Sequence, residues 1–138
     1  MPIEVVFEPD APVMWVRMEG AVADADLDRL ATGLLSDERA AVCNAVYDLR
    51  ACTDLGGLSS ETVRRLARAP HCRDERVHAI RIAILAEGDL AFGIGRMFQT
   101  LASDRMPNVA VVRDVAAARA FAAEGVAPPG HEFGAASA

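Results

Sequence analysis

A chain of 138 residues with 52% apolar and 25% charged residues is long enough to bury a core as one domain, without disulfide or metal staples. Its formal charge of −6 excludes the basic footprint of general nucleic-acid binding, and no apolar run approaches the roughly 20 residues that span a bilayer. The charge is uneven: residues 1–61 hold 12 acids against 4 arginines, residues 62–113 hold 9 arginines against 5 acids, and there is no lysine.

Two strand-like runs come first, IEVVFEP (3–9) and VMWVRMEG (13–20), with Pro9 and Pro12 placing a hairpin turn between them. In the second run Met14, Val16 and Met18 alternate with Trp15, Arg17 and Glu19, the period of a strand. DADLDRLATGLLSD then sets Leu27, Leu30, Ala31, Leu34 and Leu35 at helical spacing, with Asp24 as N-cap and early acids at the positive end of the helix dipole. AAVCNAVYDLR (40–50) is a nearly continuous apolar strand of the type buried on both faces.

The stretch CTDLGGLSSETV (52–63) hands that strand over to a helix. Ser59 fits its N-cap, with Leu58 and Val63 spaced as a hydrophobic staple, and Pro70 breaks the helix near its end. VHAIRIAILAE (77–87) is the strongest buried-strand signal. A third helix follows, with Leu90, Ile94, Met97, Phe98 and Leu101 on one face. NVAVVRD (108–114) is the fifth strand, and Asp114 caps a last helix whose apolar face includes Val115, Ala118 and Phe121 or Ala122. Residues 125–138 are rich in Pro, Gly and Ala without periodicity and read as a flexible tail beyond a domain of residues 1–124.

The order β-β-α-β-α-β-α-β-α predicts an α/β domain of two or three layers. Its sheet is mostly parallel and five-stranded, with an antiparallel first strand. A ligand in such a sheet belongs at the carboxyl ends of the parallel strands. The loops there are 19–24, 50–59, 87–89 and 113–114, and they carry few catalytic groups.

GDLAFGIGR (88–96) follows a buried strand and opens a helix, but it lacks the lysine and hydroxyl of a P-loop, and Phe98 stands where a dinucleotide motif needs glycine. Gly93 and Gly95 are therefore read as allowing close helix packing. His71 and Cys72 are neighbours without two further ligands at zinc spacing, and His78 and His131 are isolated. Ser59 and Ser60 have no GxSxG elbow, Asp48 and Asp54 have no partner that completes an acid–base pair, and Cys43, Cys52 and Cys72 have no activating cation. These features imply no cofactor, no metal and no enzyme. The odd number of cysteines without CxxC spacing, and the absence of a basic, apolar leader, suggest a reduced cytoplasmic setting. The remaining cluster is Arg64, Arg65, Arg68, Arg73 and Arg76. Arg64 and Arg68 share a helix face, which is either a solvated surface or a contact for an anion or acidic partner.

Several stretches in this order resemble the SpoIIAA-like branch of the STAS superfamily over residues 3–124. They are VYDLR ending the third strand, TDLGGLS opening the second helix, RIAILAE as the fourth strand, IGRMFQTLA on the third helix and VAVVRDVAAARAF at the end. Anti-sigma-factor antagonists of that superfamily carry a D-S-S-G-L loop whose serine a partner kinase phosphorylates. Here Asp54, Leu55, Gly56, Gly57 and Leu58 stand in that pattern, so the phosphorylated position is Gly56, which has no hydroxyl.

The resemblance implies a non-enzymatic protein-interaction or regulatory module, its surface built from Asp54, Gly56, Gly57, Ser59 and Ser60 with Arg64 and Arg68. The partner is an unidentified protein, and a homodimer is possible. The alternative is a carrier of a small amphipathic or lipid-like ligand lined by Ile94, Met97 and Phe98.

Overall fold

The β-branched and apolar runs form five strands in the computed structural model, which describes residues 2–35, 37, 39–40, 43–68 and 79–124. The strands are β1 (Ile3–Phe7), β2 (Val13–Ala21), β3 (Asn44–Asp54), β4 (Ile82–Leu85) and β5 (Val109–Val112). The helices are α1 (Asp24–Leu35), α2 (Ser60–Ala67), α3 (Asp89–Ala102) and α4 (Val115–Ala123). The sheet order follows the chain, β1-β2-β3-β4-β5, with β1 antiparallel to β2 and the other pairs parallel. This is the single α/β domain that the element order predicts.

Two cores lie on the two faces of the sheet. On one, α1, α2 and α3 bring Leu27, Leu30, Ala67 and Ala91 against Met14, Val16, Ala45 and Ile84. On the other, α4 brings Ala118 and Ala122 against Trp15, Val46, Ala83 and Leu85. Among the described residues the fold is thus three-layered, with three helices on one side and one on the other. Strands β2 to β4 are buried from both sides, which explains why their sequences read as continuous rather than alternating.

Gly95 shows how closely α3 lies on the sheet. A Cβ built there would stand 3.0 Å from both Ile84 Cγ2 and Val111 Cγ1. Close packing therefore explains Gly95 but not Gly93, where a Cβ meets nothing within 4 Å. Gly20, at φ 71°, is needed for its backbone, because β2 and β3 shift register around it.

Several boundaries differ from the sequence reading. β3 begins later and runs on through Cys52 to Asp54, while the regular part of β4 is only Ile82–Leu85. Leu90 is 63% exposed and not on the packed face of α3, whose buried positions are the small residues Ala91, Gly95 and Ala102. Small residues let the helix sit low, so its large side chains spread to the flanks. Asp24 is the first residue of α1 rather than its cap; Asp26 Oδ2 accepts the Ala23 N–H at 2.9 Å instead. His71, Cys72, Arg73, Arg76, His78 and the tail 125–138 lie outside the described residues.

Candidate functional site

β2 and β3 run parallel to their carboxyl ends, and the ladder continues past them. Val22 N–H donates to Asp54 O at 3.0 Å and Asp24 N–H to Gly57 O at 3.2 Å. The start of α1 is thereby stitched to the loop that opens α2. Within that loop Asp54 Oδ1 accepts the Gly56 N–H at 2.8 Å, and Leu58 N–H closes a turn onto Leu55 O at 3.1 Å. Leu55 is buried and anchors the turn, while Gly56 and Gly57 are exposed.

Neither glycine is there for a positive φ. Gly57 is held by space, since a Cβ would stand 3.1 Å from Ala23 Cβ. A Cβ at Gly56 would press on Asp54 Oδ1 at 3.1 Å, so even a serine at this position requires the Asp54 carboxylate to move.

Ser59 caps α2 as its sequence position predicts, accepting the Thr62 N–H at 3.1 Å. The same hydroxyl lies 2.9 Å from Asp24 Oδ2, to which it donates, while Ser59 N–H donates to Asp24 Oδ1 at 2.8 Å. One carboxylate therefore holds both ends of one serine, across two helix N-termini. The Ser59 backbone N–H, helped by its hydroxyl and by Thr62 and Arg65, outweighs desolvation and holds the Asp24 carboxyl below its ordinary value. A serine so engaged gives its proton to the Asp24 carboxylate and its lone pair to the Thr62 N–H, so the arrangement caps α2 and ties it to the start of α1.

The arginines of α2 divide. Arg65 reaches Asp28 on α1 at 3.0 Å and the buried Thr62 hydroxyl at 3.0 Å. Arg64 and Arg68 are exposed and make no side-chain bond among the described residues, and Ser60 stands exposed beside them. Asp54, Gly56, Gly57, Ser59, Ser60, Arg64 and Arg68 thus form one continuous loop-and-helix segment.

The two carboxylates of β3 are put to separate uses. Asp48 is buried, and burial pushes its carboxyl up, but bonds from Arg50 Nε (3.0 Å), the Arg50 backbone N–H (3.1 Å) and its terminal nitrogen (2.9 Å) bring the net shift down. Asp54 is spent on its own turn. Cys52 lies near Asp48, and burial followed by that negative charge pushes its thiol up to about 11. Burial also raises Cys43. Neither is a thiolate at neutral pH.

At the other end of the carboxyl edge, α3 leaves β4 toward one face and α4 leaves β5 toward the other, the geometry that opens a crevice in α/β sheets. Arg113 bridges it. Its guanidinium donates to Glu87 O at 2.8 Å, lies 3.4 Å from Asp89 Oδ1 and stacks 4.2 Å over the Phe92 ring. Asp114 Oδ1 is taken by the Ala117 N–H as the cap of α4.

Ile94 and Phe98 pack half-buried onto the core beneath α3, and Met97 is half-buried on the same helix. An apolar groove of about 640 Å³ lies elsewhere, between β1 and α1. Among the described residues no three His, Cys, Asp or Glu side chains converge on a metal position, and no helix is long and apolar enough to cross a membrane.

Sequence reasoning missed Asp24, which looks like a cap of its own helix, and Asn44, a buried amide that ties three elements together. Asn44 Nδ2 donates to Ala122 O at 2.8 Å, and its Oδ1 accepts the Arg81 N–H at 3.0 Å. A polar residue inside an otherwise apolar strand was the available signal for Asn44. Nothing local marks Asp24.

No protein-family model matches this chain, and no curated protein matches it.

Proposed function

We propose that this protein is a non-enzymatic interaction module of the cytoplasm, using the Asp54–Ser60 loop and the Arg64/Arg68 face of α2 to engage an acidic segment of a partner protein. The observation that carries this reading is the division of labour along α2. Its capping serine is bound as donor and as acceptor, and Arg65 is committed to Asp28, whereas Arg64 on the helix and Arg68 at its C-cap are exposed and make no side-chain bond among the described residues. A loop fixed by Asp24 and Gly57 loses little conformational entropy on binding, which favours recognition by shape. Two adjacent guanidiniums supply the charge-assisted donors for a carboxylate-rich partner. The likeness of the loop to the STAS pattern agrees with such a role, without a serine at the switch position, and the reading calls for no cofactor.

Affinity capture from the native lysate tests it, comparing wild type with an Arg64→Glu/Arg68→Glu double variant. A partner bound by wild type and lost by the variant, with unchanged circular dichroism, supports the reading. Identical recovery by both overturns the assignment of this surface. Turnover in a hydrolase and phosphatase screen that Asp54→Asn abolishes would replace it with an enzyme.

A further inference from the structure

β1 is an edge of the sheet, and its bonding phase can be read from its ends. Glu19 N–H donates to Pro2 O at 2.8 Å and Glu8 N–H to Val13 O at 2.9 Å, both in the register that pairs Ile3 with Met18. Antiparallel ladders bond at alternate residues, so Glu4 and Val6 turn their backbone groups toward β2. Ile3, Val5 and Phe7 therefore turn theirs outward, and no described donor or acceptor meets them. The opposite edge is guarded: on β5 the outward Val109 carbonyl accepts from Gln99 Nε2 at 2.7 Å. The side chains of Ile3, Val5 and Phe7 also line the 640 Å³ groove beneath α1, where Leu30 and Leu34 complete its apolar wall. The exposed backbone edge and the apolar groove are thus the same place.

From this we infer that β1 pairs with β1 of a second copy of this chain, antiparallel about a two-fold axis through Val5, to make one continuous ten-stranded sheet. Self-pairing needs a register in which outward-bonding residues face one another, and three such registers lie near the strand centre. Centring on Glu4 sets two carboxylates directly opposite, and centring on Val6 sets Glu4 opposite Glu8 of the other copy. Both are unfavourable like-charge pairs. Centring on Val5 pairs Ile3 with Phe7, Val5 with Val5 and Glu4 with Val6, and no like charges meet. The groove rim does not oppose an isologous contact, since its charges are closed within one chain as the pairs Asp26–Arg29 and Asp37–Arg39 and bring no net charge to a face that meets its own copy. Pro2 and Pro9 flank the strand and limit the pairing to these few residues.

Sedimentation velocity over a wide concentration range, combined with register-specific cross-linking, tests this. Wild type should sediment with twice the chain mass, and Val5→Lys, which sets two cations on the axis, should sediment as a folded monomer. Val5→Cys should oxidise to a covalent dimer that wild type does not form, because bonded antiparallel pairs hold Cα atoms about 5.5 Å apart, inside the disulfide range. Glu4→Cys, one row off the axis, should cross-link poorly. A wild-type monomer at every concentration overturns the inference, as does a dimer that Val5→Cys fails to trap or that Glu4→Cys traps equally well. A monomer whose native mass spectrum carries a copurifying amphipathic molecule also overturns it, and assigns the groove to a ligand. Arg64 lies on α2 and Arg68 at its C-cap, outside this edge, so loss of the dimer should leave Arg64/Arg68-dependent partner recovery intact, and the two readings fail separately.

Discussion

Asp24 and Ser59 are 35 residues apart in sequence, yet the carboxylate of one accepts both the backbone N–H and the hydroxyl of the other, at 2.8 and 2.9 Å. This pair joins the first turns of α1 and α2, and the shape of the candidate recognition loop depends on it. Ser59→Ala removes both the cap and the clamp, and should cost about 1 kcal/mol or somewhat more of stability. Asp24→Ala should shift the urea midpoint further than Asp24→Asn, which keeps one acceptor. In a double-mutant cycle the two positions should couple, because each removes the other's partner.

The same pair predicts an acid response. The Asp24 carboxyl is held below its ordinary value, chiefly by the Ser59 N–H. Its contribution to stability is therefore complete above the unfolded-chain value near ~3.9 and disappears as pH falls through the lower folded value. Asp48 acts in the same direction through Arg50. Urea midpoints measured downward from neutral pH should stay level until the acid range and then drop. The drop should be shallower in Asp24→Asn.

Two glycines of α3 should respond oppositely to one methyl group. At Gly93 a Cβ meets nothing, so Gly93→Ala should gain about 0.5–1 kcal/mol from helix propensity. At Gly95 the methyl would stand 3.0 Å from side chains of β4 and β5, so Gly95→Ala should lose about 1–3 kcal/mol through overpacking. Thermal or urea unfolding of the two variants decides it.

Asn44 is 9% exposed, and its amide satisfies the Arg81 N–H just ahead of β4 and the Ala122 carbonyl of α4 at once. Asn44→Ala would leave the Ala122 carbonyl and the Arg81 N–H without this partner, at a cost of about 2–3 kcal/mol. Amide exchange should localise the loosening to the end of α4.

With its thiol pushed up to about 11, Cys52 holds roughly one thousandth as thiolate at pH 8, so it should alkylate about a hundredfold more slowly in the native than in the unfolded protein. Asp48→Asn should speed that reaction by removing the charge that adds to burial. Peptide mapping after timed labelling reads both.

The strands and helices were legible because their signals are local and redundant. Val13 to Val16 are apolar on both faces, Asp114 is followed by a helical pattern, and Ser59 is flanked by its staple residues. Boundaries were less legible where one residue type serves two states. Cys52–Asp54 looks like loop but continues β3 because β2 offers it a ladder. The position of Leu90 was misread because periodicity marks large apolar residues, whereas α3 packs through Ala and Gly. Within the candidate site, the cap by Ser59 and the exposed arginines could be inferred from spacing. The tie from Asp24 could not, since it depends on two crossovers returning to the same edge.

Strands in the sheet stand in the order in which they are made, so each new strand needs only the one before it as a template. Closing each βαβ unit involves a short loop of chain and a small entropic cost, which suits growth from the amino terminus as the chain is synthesised. The exception is α4. It is the last of the described elements to be made, packs on the second core around Trp15, Val46, Ala83 and Leu85, and is latched by an amide 78 residues upstream. Until it docks, the face that carries Trp15, Val46, Ala83 and Leu85 lacks the cover α4 gives it, and a chain cut short after β5 would be stickier on that side than on the one packed by α1, α2 and α3.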